Sequence, residues 1–126
     1  MSEEEAQIDR MLARARVEIA PRVQPADLVS VWKAGGLVVD TRPVELRQRD
    51  GEIPGAIVVD RNVLEWRLDP TSANRIAGVT GPDQRIVIVC DEGYASSLSA
   101  VTLRRLGLRR ATDLDGGFQA WRRLQG

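Results

Sequence analysis

The chain has no histidine and only one cysteine, Cys90, among its 126 residues. Without histidine there is no Cys–His dyad, no imidazole general base and no imidazole metal ligand. One cysteine forms no intrachain disulfide, and a lone cysteine without histidine leaves a zinc site without ligands. A basic excess is also lacking. The 18 Lys+Arg balance 18 Asp+Glu, so the electrostatic footprint of a general nucleic-acid binder is missing. No apolar run approaches the roughly 20 residues that a membrane helix needs. The opening MSEEEAQIDR is too acidic and polar for a secretory leader. The expectation is a soluble, cytoplasmic protein with no nucleic-acid or membrane partner, no metal and no cofactor.

With 43% hydrophobic residues, the chain can build one domain-sized core unaided. Ser2 and Glu5 have the spacing of a capping box. Ile8, Met11, Leu12, Ala15 and Ile19 then form one apolar stripe, so residues 1–20 read as an amphipathic helix. That helix either packs on the domain formed by 21–126 or docks a partner. A second helix runs from Pro25 to Gly35-Gly36, with Leu28, Val31 and Trp32 on its inner face. LVVD (Leu37 to Asp40), AIVVD (Ala56 to Asp60) and RIVIV (Arg85 to Val89) are short apolar runs typical of buried parallel strands. ATDLDGG gives a last strand and turn, with Gly116-Gly117 leading into a closing helix. Helices are expected at 63–68 and 96–107, the latter with Ala100, Leu103 and Leu106 on one face. Strands alternating with helices indicate an α/β domain with a mainly parallel sheet.

The stretch VCDEGYASS (Val89 to Ser97) carries the chemistry. Cys90 ends the strongest strand, and a helix follows at about Ser96. In an open parallel sheet, ligands bind beyond the carboxyl ends of the strands. A short strand–loop–helix turn gathers backbone N–H groups and the positive end of the helix dipole, which stabilises a thiolate at its centre. Gly93 permits the tight backbone, and Ser96 and Ser97 are N-cap candidates whose hydroxyls could face the thiol. Cysteine is also among the most buried residue types, so a plain core thiol is the competing reading. The Gly and Ser residues that follow favour the functional loop. Cysteine phosphatases use a longer Cys-x5-Arg loop. Here the sixth position after Cys90 is Ser96, which disfavours that chemistry.

Four stretches together carry a family resemblance: VVDTRP, GEIPGA, IVIVCDEGYASS and DLDGGFQAW. In order and spacing they resemble a single-domain rhodanese, or thiosulfate sulfurtransferase. The resemblance implies a three-layer rhodanese-like fold, with a mainly parallel five-stranded sheet flanked by helices and an extra N-terminal helix. It implies that Cys90 takes a sulfane sulfur from a donor such as thiosulfate, forming a persulfide. A thiol (a protein thiol included) or cyanide then accepts the sulfur. The active-site loop is Asp91, Glu92, Gly93, Tyr94, Ala95 and Ser96, with Asp40 and Arg42 as a supporting ion pair. A rhodanese-like binding module with little turnover is the alternative. The chain departs from the family in its spacing from Asp40 to Gly51, about one residue longer than usual, and in residues near the thiol. Ala95 stands where many active members carry arginine, Glu52 stands at the position of a family histidine, and Asp91 and Glu92 directly follow the cysteine. Each such like charge disfavours a thiolate by about 2–3 kcal/mol at ~6 Å and an effective dielectric near 20. Weak turnover with a dianion such as thiosulfate follows as an expectation. Tyr94 is expected to wall the substrate pocket or lie exposed.

Overall fold

The computed structural model describes residues 5–126. Four strands form one parallel sheet in the order β2-β1-β3-β4: β1 (Leu37–Asp40), β2 (Ile57–Val58), β3 (Ile86–Val89) and β4 (Ala111–Asp113). The fifth strand expected from the sequence contracts to a single parallel bridge between Val23 and Leu114. Pro21 precedes this segment and Pro25 starts a 3-10 turn, so little free N–H donor sequence remains between them for a longer ladder.

β1 and β3 are buried at every residue, and their side chains alternate between two cores. Leu37, Val39, Ile86 and Ile88 face Leu64 and Leu68 of α4 (Leu64–Leu68) and Leu103 of α5 (Ala95–Arg105). Val38, Val87 and Val89 face the other way. They pack with Leu28 and Val31 of α2 (Leu28–Lys33) and Phe118 of α6 (Gly117–Leu124). α3 (Val44–Asp50) connects β1 to β2. The result is the expected three-layer arrangement.

α1 (Gln7–Glu18) lies outside α5, where Ala15 and Ile19 pack against Ala100 and Val101. The Ser2 half of the expected capping box falls outside the described residues. The helix itself starts after Ala6, with no side-chain cap. Only the C-terminal half of the apolar stripe is covered: Leu12, Ala15 and Ile19 are buried, while Ile8 and Met11 are exposed. The packing against α5 comes from Ala15 and Ile19, at the C-terminal end of α1.

Three other expectations are corrected. Leu106 is 42% exposed, whereas Leu103 is fully buried. α5 ends at Arg105, and Leu106 is its C-cap, so the helical period no longer aims it inward. Trp32 is 46% exposed, its ring lying across Gly55 in the IPGA turn rather than in the core. Ser96 and Ser97 do not cap α5. Tyr94 is the N-cap residue, and both serines sit inside the first turn.

Leu103 and Leu106 thus separate periodicity from burial. Leu103→Ala should cost about 2–5 kcal/mol, and Leu106→Ala about 0.5 kcal/mol or less. Urea denaturation midpoints of the two variants check this; equal losses would mean that Leu106 is buried after all.

Candidate active site

β3 and β1 end level with one another, Asp40 pairing with Val89. Thr41 then donates both its N–H and its hydroxyl to the Val89 carbonyl, each at 2.9 Å. This fixes the main chain immediately before Cys90. The chain turns from there into α5, and the half-buried sulfur lies inside the turn. The Cys90 Sγ accepts the N–H of Gly93 at 3.1 Å and that of Ser96 at 3.4 Å. The thiol donates to Ser96 Oγ at 3.1 Å. Two inward N–H groups at a helix start form the anion-stabilising cradle expected from the sequence.

The serine hydroxyls lead from the sulfur to a buried carboxylate. Ser96 Oγ and Ser97 Oγ each donate to Asp113 Oδ2 at 2.7 Å. Asp113 ends β4 and has no solvent exposure. Its charge is matched by Arg22, whose Nε donates to Oδ1 at 2.8 Å and Nη2 to Oδ2 at 3.1 Å. Arg22 Nη1 also reaches Asp115 at 3.0 Å. Burial works against the Arg22 charge, but the hydrogen bond and charge of Asp113, then the charges of Asp115 and Cys90, outweigh it. Together they raise the Arg22 pKa above the ordinary arginine value.

The outer side of the loop is held by two guanidinium groups. The Gly93 carbonyl accepts from Arg16 Nη2 at 2.7 Å and from Arg22 Nη2 at 3.0 Å. Arg16 Nε donates to Ser97 Oγ at 3.2 Å, and its guanidinium lies 5.5 Å from the centre of the exposed Tyr94 ring. Tyr94 is therefore a cover for Arg16, with Ala95 exposed beside it at the start of α5.

The floor of the loop is the start of α6. Phe118 and Gln119 donate their N–H groups to the carbonyls of Cys90 and Asp91 at 2.9 and 3.0 Å. Groups that a helix start leaves unpaired are thus used to dock the loop. Gly117, at φ +63°, makes this approach possible: a Cβ there would sit 2.6 Å from the Cys90 carbonyl oxygen and 2.7 Å from the Gly93 nitrogen.

Asp91 is tied to α6 and is not loose in solvent. Gln119 Nε2 donates to Asp91 Oδ1 and to Asp50 Oδ2, both at 2.9 Å. Asp50 pairs with Arg49 at 2.8 Å and Arg122 at 3.0 Å. The Arg49 hydrogen bond foremost, with the bond from Gln119 and the charges of Arg49 and Arg122, overcomes desolvation. It holds the Asp50 carboxyl well below the usual range. Glu92 is exposed. Glu52 lies 3.7 Å from Arg47 and is 59% exposed, so it extends the α3 surface.

Asp40 and Arg42 form the expected ion pair, 2.8 Å apart and almost wholly buried. Arg42 also donates to the Gly51 carbonyl at 2.9 Å and stacks 3.6 Å from the centre of the Phe118 ring. The pair therefore fastens the β1–α3 connection to α6. A cleft of about 410 Å³ opens beside it over the ends of β1 and β2, with Thr41, Arg47, Val58 and Arg61 among its walls. Cys90 is not among those walls; the cleft lies one strand across from the sulfur. Among the described residues, no group of three or more Cys, Asp or Glu side chains could hold a metal ion, and no helix is long and apolar enough to cross a membrane.

The sequence located the loop and the Asp40–Arg42 pair. It missed Arg16, Arg22, Asp113 and Gln119, which come from four other segments. Asp113 left one signal, a carboxylate that directly follows the strand residues Ala111 and Thr112, where a buried charge needs a partner. Arg16 directly follows the buried Ala15, which puts it at the edge of the covered stripe.

A strand–cysteine loop–helix turn at the carboxyl end of a parallel sheet defines an α/β domain whose thiol is held by backbone N–H donors. The chain belongs to the rhodanese-like domain family, whose model matches residues 25–124. It is 27% identical over 101 residues to the thiosulfate sulfurtransferase GlpE of Stutzerimonas stutzeri, covering 80% of this chain and 84% of that protein. The human single-domain sulfurtransferase TSTD1 superimposes with a TM-score of 0.68 at 26% identity, covering 81% of this chain and 95% of that one. A Rhodopseudomonas palustris protein of unknown function, RPA3614, described as a possible tyrosine phosphatase, superimposes with a TM-score of 0.83 at 32% identity. That match covers 96% of this chain and 92% of the other.

Two glycines test the contact under the loop. Gly107 has φ +98° and open space around it, whereas Gly117 has a positive φ and the loop against it. Gly107→Ala should cost about 1–2 kcal/mol from backbone conformation alone. Gly117→Ala should cost about 1–3 kcal/mol more from overpacking. Equal destabilisation in chemical denaturation would show that the loop does not rest on Gly117.

Proposed function

We propose that this protein is a sulfurtransferase that carries sulfur on Cys90. The Cys90 thiolate attacks the outer sulfur of a sulfane donor. With thiosulfate, the S–S bond of the donor breaks, sulfite leaves with the electron pair, and a Cys90 persulfide remains. An external nucleophile then attacks the outer sulfur, and the Cys90 thiolate is regenerated. Cyanide would yield thiocyanate, and a thiol would yield its persulfide. Covalent transfer of this kind needs no general base, so a chain without histidine can perform it. With a single cysteine there is no internal resolving thiol, so the acceptor comes from another molecule.

The observation that carries this reading is the N–H cradle, with Gly93 and Ser96 donating to the sulfur. Such donors stabilise negative charge on the attacking thiolate and on the persulfide. The kinship with thiosulfate sulfurtransferase GlpE supports the same chemistry. A phosphatase reading lacks its arginine, because the sixth residue after Cys90 is Ser96, buried and bonded to Asp113. Glu92, exposed at the loop mouth, disfavours dianionic donors, so a donor of lower charge should outperform thiosulfate.

Intact mass measured after incubation with a sulfane donor, at pH 7–8 and without reductant, should rise by one sulfur atom. Cys90→Ser should show no gain. Thiosulfate, a dianion, and an alkanethiosulfonate, a monoanion whose S–S bond breaks to release sulfinate, each transfer a single sulfur atom and differ in charge. No gain with either, in protein whose Cys90 still alkylates, would rule out the sulfur-carrier reading.

A further inference from the structure

The loop from Cys90 to Ser96 contains two acids and no base. The cations that touch it belong to the segment before the family-matched residues 25–124. Both converge on one atom, the Gly93 carbonyl oxygen, which Arg16 and Arg22 reach at 2.7 and 3.0 Å. The residue so gripped is the one whose N–H meets the sulfur at 3.1 Å. A peptide unit is rigid and planar, so fixing the Gly93 carbonyl also fixes the direction of the Tyr94 N–H, which points the opposite way.

The two cations differ in their charge balance. Arg22 is offset by Asp113 and Asp115. Arg16 bonds only to neutral groups, namely Gly93, Ser97 and the face of Tyr94, and among the described residues it forms no ion pair. The charged groups around Cys90 are therefore Asp91 and Glu92 on the loop, the Arg49–Asp50–Arg122 cluster linked to Asp91 through Gln119, Asp113 and Asp115 at the end of β4, Arg22, the Asp40–Arg42 pair at the end of β1, and Arg16 on α1. Asp40 is cancelled by Arg42, and Arg22 offsets part of the Asp113 and Asp115 charge. Arg16 is the positive charge in this set that no carboxylate neutralises.

We propose that Arg16 is a positioning residue for Cys90: with Arg22 it holds the Gly93 carbonyl outward so that the loop N–H groups face the sulfur, and it supplies the cation that the loop itself lacks. α1 thereby becomes a working part of the site and not only a packing element. The inference rests on the reading of Cys90 as the reacting atom, but its test needs no sulfur transfer, so either can fail without the other.

Cys90 is the only cysteine, so alkylation by uncharged iodoacetamide reports on it alone. The rate, followed against pH, gives the midpoint of thiolate formation. In Arg16→Gln the midpoint should move up by about half to one pH unit. The rate near neutral pH should fall about three- to tenfold. Arg16→Lys, which keeps the charge and loses the paired geometry, should recover at least part of the shift. Arg14→Gln, on the same helix but without a hydrogen bond to the loop, should leave the midpoint in place. Arg16→Met keeps the aliphatic stem on Tyr94 and carries the same expectation as Arg16→Gln where that variant does not fold. A folded Arg16→Gln or Arg16→Met whose midpoint overlays the unmodified protein overturns the proposal, whatever happens to its melting temperature. A shift of equal size in Arg14→Gln overturns it too, because the effect would then be net charge and not contact.

Discussion

The buried carboxylate of Asp113 is the interaction on which the site depends. It has no access to water, so its charge must be satisfied inside the fold. Four donor groups do this: two from Arg22, one from Ser96 and one from Ser97. Together they bring two other parts of the chain to the end of β4. Arg22 brings the segment after α1, and the serines bring the first turn of α5 and the loop behind it. Leaving one partner of such a buried pair alone typically costs about 3–5 kcal/mol. That penalty makes the arrangement specific, because other placements of the loop would strand the charge.

The loop is consequently held on two sides by unlike means. On one side, hydrogen bonds to charged groups grip its outward carbonyl and hydroxyls, each worth about 1.5–3 kcal/mol. On the other, α6 offers the N–H groups of its first turn to the Cys90 and Asp91 carbonyls. The N–H groups of Gly93 and Ser96 then have the sulfur as their partner. Asp91, a threat to a thiolate when read from the sequence, is drawn off by Gln119 toward the Arg49–Asp50–Arg122 cluster. Electrostatic conflict inside the loop is thus eased by groups that are distant in sequence.

Much of the fold was legible because burial leaves a direct record in β strands. Val38 and Val87 face one core while Val39 and Ile88 face the other, and strands covered on both sides read as unbroken apolar runs. Helices were legible as segments but not at their ends. Leu106 continues the helical period on paper and falls outside the helix in space. Trp32 reads as core by size, yet it serves as a lid over Gly55. The N-terminal stripe was half right, because the period shows which side is apolar and not how far along it a neighbour extends.

The sequence by itself determined the parallel α/β order, the cysteine at the end of its strongest strand, the glycine that lets the loop turn, and the absence of any histidine to assist it. These are properties of neighbouring residues, and local sterics and hydrophobic periodicity set them. Only the tertiary structure decided the electrical environment of that cysteine. Arg16 and Arg22 stand 77 and 71 residues from the Gly93 they grip, and Asp113 stands 17 residues from Ser96. Charges act through space over a few ångströms, and their spacing along the chain says nothing about that distance until the sheet has brought its strand ends together.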